Sequence, residues 1–184
     1  MREPALIGMD PSLKNWGIAR FSRTGHLEDI RVIHTLPEKA DRKSTDDFRR
    51  LLHLASELTA YLVPGDTLFV EFPIGSQSAR AMVSYSAVLA ILAMLQVQGY
   101  PCLAVTPKEA KTAATGDPEA SKEAMTYWAT QRFPEAPWPT RNLKGKPTVV
   151  AGQAEHMADA IAVAYAGIHK YPLEKHHASH VHRS

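Results

Sequence analysis

A mixed α/β fold, whose sheet starts antiparallel and continues with parallel strands flanked by helices, is what this 184-residue sequence predicts. Three observations carry that expectation. Three β-type runs joined by short turns fill the first 36 residues. From residue 46 onward, helical segments alternate with short apolar strands. Two of the strands end on a carboxylate.

Residues 4–10 read as the first strand, residues 17–22 as the second after the turn "PSLKN", and residues 26–36, with their β-branched side chains, as the third. Together they predict an antiparallel meander. After the polar stretch "EKADRKST", residues 46–62 place Phe48, Leu51, Leu52, Ala55, Leu58 and Leu62 at helical spacing, an amphipathic helix that Pro64-Gly65-Asp66 stops. "TLFVEF" (67–72) is a short buried strand. Residues 79–98 are apolar nearly all round, which in a water-soluble chain requires cover on both faces, one by the sheet and the other by a partner subunit. A strand at 100–105, a short helix after Pro107 and a helix over "EASKEAMTYWATQRF" follow. Residues 134–151 read as an irregular connector rich in proline and basic residues, leading into a last helix, "QAEHMADAIAVAYAGIH". The organisation is one domain over residues 1–170 and a disordered, His-rich tail over 171–184, where His176, His177, His180 and His182 are read as solvated.

Composition narrows the classes. Twenty-one Lys+Arg against 19 Asp+Glu give a formal charge of +2, so net charge alone does not announce a nucleic-acid binder. The single cysteine, Cys102, excludes an intrachain disulfide and suits a reducing compartment. No stretch approaches the roughly 20 apolar residues of a membrane span, and the N-terminus lacks a signal-peptide core, so the expectation is a cytoplasmic protein with no membrane partner.

The carboxylates carry the chemistry. Asp10 closes the first strand and Glu71 the strand "TLFVEF"; the last helix carries Glu155, His156 and Asp159. Residues 156 and 159 are one turn apart and project from one face. If the two strands are neighbours, their acidic ends meet, and a helix crossing that edge gathers three or four ligand groups with no obvious protein cation beside them. Such a cluster repels itself unless a divalent metal sits in it. Mg²⁺ takes hard oxygen ligands, and two ions about 4 Å apart activate water and stabilise the leaving oxygen of a phosphodiester. Taken singly, an acid at a strand end is most often a turn residue, and a lone histidine most often a surface or core one. The ordered set is what points to a phosphodiester hydrolase.

The layout is that of the RNase H-like fold, and four segments together resemble the RuvC-type Holliday-junction resolvases in a divergent form. "IGMDPSLKNWGIA" is similar to that family's opening D-P-x-x-x-x-x-G motif, "FVEF" to its second acidic strand and "HMADAIAVAYAGIH" to its final acidic helix. "KTAATGDPEASK" (111–122) is similar to its lysine-flanked segment opening a DNA-facing helix. The resemblance spans residues 5–169.

It implies that Asp10, Glu71, His156 and Asp159 hold two Mg²⁺ ions, with Mn²⁺ as a substitute. It also implies that Lys111 and Lys122 approach DNA, Lys122 nearest the scissile phosphate and catalytic. Lys14, Lys108, Arg141, Lys144 and Lys146 join them as candidate DNA contacts, the last three through the 134–151 connector. Two departures stand out. Many members have Asp where this chain has His156, leaving Glu155 as a rival ligand, although adjacent helical residues point about 100° apart. The family often places an aromatic shortly after the second acid to stack on a base at the crossover; here Phe72, a further candidate DNA contact, follows Glu71 at once and Ile74 holds the later position.

The function implied is a metal-dependent, structure-selective endonuclease on branched DNA such as a four-way junction. Paired cuts call for a homodimer, and the helix at 79–98 is the candidate interface. Alternatives are another RNase H-fold nuclease acting on RNA or replication intermediates, an actin-like ATPase, or a non-catalytic DNA-binding module. The ATPase would need a second phosphate-binding D-x-G turn and Gly-rich adenosine contacts, which the chain lacks. A mere binder gains nothing from clustered acids beside phosphates.

Overall fold

The first three strands pair as the short turns require. β1 (Leu6–Asp10), β2 (Asn15–Phe21) and β3 (Leu27–His34) form an antiparallel meander in a computed structural model that describes residues 2–38, 42–72, 78–143 and 145–171. α1 (Lys43–Tyr61) then crosses to β4 (Thr67–Glu71), which lies parallel to β1 with Met9 opposite Val70. α2 (Ala79–Val97) leads to β5 (Cys102–Val105), parallel to β4, completing a five-stranded sheet in the order β3-β2-β1-β4-β5. α3 (Pro107–Thr115), α4 (Lys122–Arg132) and α5 (Ala151–Lys170) follow.

Strand parity divides the core in two. Ile7, Met9, Trp16, Ile18, Leu68 and Val70 point to the face covered by α1 and α2, while Leu6, Ala19, Phe21 and Phe69 point to the face covered by α3, α4 and α5. Because alternate residues share a face, Asp10 falls in phase with Leu6, and Glu71 with Phe69, so both acids lie on the α5 side. α5 can approach because its inner face is small: Ala154, Ala158, Ala160 and Ala164 are all buried. Opposite them, a methyl group at Gly8 would overlap the Ala160 carbonyl, and one at Gly17 the His156 carbonyl. Those two glycines set how deeply the helix sits.

Polar clamps fix the strand ends. Buried Asp66 accepts from Ala5 N at 2.7 Å, Val63 N at 3.0 Å and the guanidinium of buried Arg20 at 3.0 Å, tying the start of β1 to the turn before β4. Arg50 of α1 donates to Thr35 Oγ1 at 2.9 Å and to the Leu13 carbonyl at 3.3 Å, anchoring the turn that follows Asp10.

Two sequence expectations need correction. The connector at 134–151 is not irregular throughout: β6 (Thr140–Leu143) and β7 (Lys146–Val149) pair as a separate antiparallel hairpin closed at Gly145, whose φ of +82° glycine tolerates. Its charged residues and Pro147 hid the alternation. Tyr171, expected to begin the tail, is packed; its ring stacks on Phe69 with centroids 6.2 Å apart, and its hydroxyl donates to the Ala104 carbonyl at 3.0 Å. The rest of the His-rich tail lies outside the described residues. On α2, Val88, Ile91, Leu92 and Leu95 are buried against the sheet, whereas Met82, Val83 and Leu89 are exposed. One face of that helix is therefore uncovered among the described residues.

Candidate active site

Asp10 and Glu71 end adjacent parallel strands on the same face, and α5 passes over that edge. Asp10, Glu71, His156 and Asp159 consequently line one cleft of about 290 Å³, together with Lys111, Lys122 and Glu155. Lys111 arrives on α3, whose start is fixed by Pro107 and a reciprocal capping box between Thr106 and Glu109. Lys122 is the first residue of α4, capped by Ser121, whose hydroxyl accepts from Ala124 N at 3.2 Å.

Within the cleft, His156 Nδ1 lies 2.7 Å from Asp10 Oδ2, and His156 Nε2 lies 3.0 Å from the side-chain amide of Asn15. Glu155 turns to the cleft rim and pairs with Lys122. The expectation that no protein cation neighbours the acids is therefore corrected: the topology delivers two lysines to the same opening, because the turn between α3 and α4 folds back beside α5.

The electrostatics show what the cluster lacks. Burial, reinforced by the charge of Asp10, pushes Glu71 up to about 7, with Lys111 opposing. Asp159 is likewise pushed up to about 7, first by burial and then by Asp10, Glu71 and Glu155. The hydrogen bond to Asp10 raises His156 above the ordinary histidine value, against the effect of burial. Two carboxylates raised first by burial and then by the charge of neighbouring acids are a site short of positive charge. The donor set, three carboxylates and an imidazole, fits a divalent cation of the Mg²⁺ or Mn²⁺ type. Among the described residues no three such side chains close to ligating distance around one point, so the donors stand in an open arrangement with His156 turned to Asp10.

The remaining candidates are scattered. Lys108 is exposed and paired with Glu119 at 2.8 Å. Lys14 is exposed in the turn after Asp10, and Arg141 is exposed on β6. The side chain of Lys146 and the whole of Lys144 lie outside what is described. Phe72 packs against the core between the sheet and α1–α2 and is only partly exposed. Sequence reasoning passed over Asn15, His34 and Arg50; the first stood inside the opening motif, but nothing in its spacing tied it to residue 156.

Fold and site define a class: an RNase H-like α/β domain with an acidic cleft at the ends of its first and fourth strands. More specifically, the fold is RuvC-like. The chain is similar to a Thermus thermophilus RuvC structure with a TM-score of 0.60 and 20% identity, covering 88% of this chain and 92% of that one. It is also similar to T. thermophilus RuvC in complex with Holliday junction substrate, with a TM-score of 0.61, 20% identity and coverage of 89% and 92%. No family model and no curated protein matches the sequence.

Proposed function

We propose that this protein is a metal-dependent, structure-selective DNA endonuclease that resolves Holliday junctions or other branched DNA by paired phosphodiester hydrolysis. The observation that carries the reading is the meeting of Asp10, Glu71, His156 and Asp159 in one cleft flanked by Lys111 and Lys122. Its support from likeness is a RuvC structure solved with Holliday junction substrate.

Asp10, Glu71, His156 and Asp159 would hold Mg²⁺, two ions per site, with Mn²⁺ able to replace it. When bound there, the metal supplies Lewis-acid stabilisation of phosphate charge and an activated water. The chain's own residues do the rest. Lys111 and Lys122 draw a phosphate to the cleft mouth, and Glu155 keeps Lys122 at that mouth until a phosphate competes for it. Lys14, Lys108 and Arg141 would be the further contacts to the duplex arms, and a two-stranded ribbon such as β6–β7 is of a size that a major groove admits. Phe72, partly exposed directly after Glu71, would meet the DNA beside the cleft.

A two-fold junction needs two coordinated cuts, hence a homodimer, for which the uncovered face of α2 is the interface. No helix among the described residues is long and apolar enough to cross a membrane, and the reading places the enzyme in the cytoplasm, in recombination and repair. The test is cleavage of a synthetic four-way junction with and without Mg²⁺, beside flap and RNA:DNA substrates. Symmetrical, metal-dependent nicks in the junction are expected. Preferential cutting of the RNA:DNA hybrid would assign the site to the other nuclease class, and no cutting with any metal would overturn the reading.

A further inference from the structure

The cleft has a polar extension that the acid set does not use. Asn15 opens β2 directly across from His34 on β3, and it lies beneath the point where α5 rests on Gly17. Its side-chain amide is held at both ends: Nδ2 is 3.0 Å from His156 Nε2, and Oδ1 is 2.8 Å from His34 Nδ1. On its other side the His156 ring meets Asp10, with Nδ1 2.7 Å from Oδ2. Four side chains from four elements thus form an unbroken line, His34–Asn15–His156–Asp10, that ends in the cleft.

The hydrogen-bond roles along that line follow from the amide. Its Nδ2 only donates, so His156 Nε2 accepts and the ring proton sits on Nδ1, donated to Asp10; its Oδ1 only accepts, so His34 donates from Nδ1. In this arrangement His156 has no lone pair directed at the cleft. A half-turn of the amide exchanges its ends with little change of shape and reverses every role. Oδ1 then accepts a hydrogen bond from His156 Nε2–H, the Nδ1 lone pair is freed toward Asp10, and Nδ2 donates a hydrogen bond to His34 Nδ1, whose own proton moves to Nε2. Each imidazole loses one proton to solvent and takes one back, so the exchange leaves the charge of each ring unchanged. An inward nitrogen for the metal and an outward N–H held by an acceptor is the usual arrangement of a ligating histidine.

We propose that Asn15 is the positioning residue of this site, its amide turning to hold His156 in the Nε2–H form with Nδ1 presented to a divalent cation, and His34 supplying the second hydrogen bond in either orientation. The inference rests on the reading of His156 as a metal ligand. A primary amide serves both states, whereas a carboxylate at residue 15 supports the metal-ready form alone and an aliphatic side chain supports neither.

Two measurements test it. The first uses the wild-type protein: ring ¹⁵N–¹H spectra of histidine-labelled chain, with the His156 signals assigned by their loss in His156→Ala. At a pH where the ring is neutral, metal-free protein should carry the His156 proton on Nδ1 and Mg²⁺-saturated protein on Nε2; a proton that stays on Nδ1 while Mg²⁺ binds overturns the proposal. The second is calorimetric titration with Mn²⁺ alone. Asn15→Leu should bind about 10- to 100-fold more weakly, while Asn15→Asp, which keeps the acceptor, should stay within about threefold of wild type. Equal affinity in Asn15→Leu and wild type removes the proposal and leaves the metal site standing. A wild-type chain that takes up no Mn²⁺ removes the metal-site reading itself, and the proposal with it.

Discussion

Asp10 on the central strand and His156 on the last helix, 146 residues apart in sequence, meet at 2.7 Å between Oδ2 and Nδ1. The contact joins the two most separated parts of the acid set. It makes Asp10 the residue whose charge acts on every other member, since it raises Glu71, Asp159 and His156 alike. Asp10→Asn is therefore expected to lower cleavage by about 10²- to 10³-fold, the scale of losing one electrostatic group from an active site. Junction binding should be spared, because the phosphate contacts come from lysines. A gel-shift titration run beside a nicking assay checks both halves; near wild-type cleavage would remove Asp10 from the site.

The rivalry between His156 and Glu155 now has a structural basis. His156 faces Asp10, whereas Glu155 is engaged with Lys122 at the rim. His156→Ala should cripple cleavage. Glu155→Ala should be mild, altering the salt dependence of binding more than the rate, since it releases Lys122 toward phosphate. His156→Asp should remain active and shift preference from Mn²⁺ toward Mg²⁺, carboxylate being the harder ligand. Parallel rate measurements in the two metals decide it; a dead Glu155→Ala beside an active His156→Ala would exchange their roles.

Much of this was legible in the chain. The parity of β1 and β4 and the one-turn spacing of His156 and Asp159 are local patterns, and local patterns dictate which side chains share a face. What the sequence could not carry was long-range approach. Asn15 reaches His156 only because Gly17 lets α5 sit on β2, and Lys122 reaches Glu155 only because α4 folds back along α5. The hairpin at 140–149 is illegible for a different reason: its strands are four residues long and polar, with no apolar alternation.

The raised carboxyls make stability depend on pH in a fixed direction. Unfolded, Glu71 and Asp159 ionise near pH 4, whereas folded they are held up to about 7. The folded chain keeps protons that the unfolded chain has released, so their stabilising contribution is complete below about pH 4 and is lost as pH rises through 7. His156, raised chiefly by its hydrogen bond to Asp10, acts in the same sense. Metal-free protein should therefore melt at lower temperature at pH 8 than at pH 5. Mg²⁺ should raise the melting temperature at pH 8 and do little at pH 5, where protons occupy the ligands. Scanning calorimetry at both pH values, with and without Mg²⁺, makes the comparison; a Mg²⁺ effect equal at both would contradict it.

The uncovered face of α2 separates two leucines three residues apart. Leu89 is 40% exposed and Leu92 is 2% exposed. Leu89→Lys should leave the fold intact and abolish the proposed dimer, whereas Leu92→Lys places a charge in the core and should cost several kcal/mol of stability. Light scattering reads the first and circular dichroism the second. A Leu89→Lys chain that still dimerises would move the interface to another surface, the exposed Phe48 and Leu52 on α1 being the next apolar face.

Gly17 ties the packing to the chemistry. A methyl group there would overlap the carbonyl of His156, so Gly17→Ala must push the first half of α5 off β2. Overpacking of this kind costs about 1–3 kcal/mol, and denaturant unfolding should show it. The displacement also draws His156 away from Asn15 and Asp10, so cleavage should fall even under conditions where the variant is fully folded. Gly25→Ala is the control: its position, at φ +85°, has open space and no link to the site, so any loss there is backbone strain alone and should leave the rate of the folded enzyme unchanged. If folded Gly17→Ala cuts at the wild-type rate, the depth at which α5 sits does not govern the site.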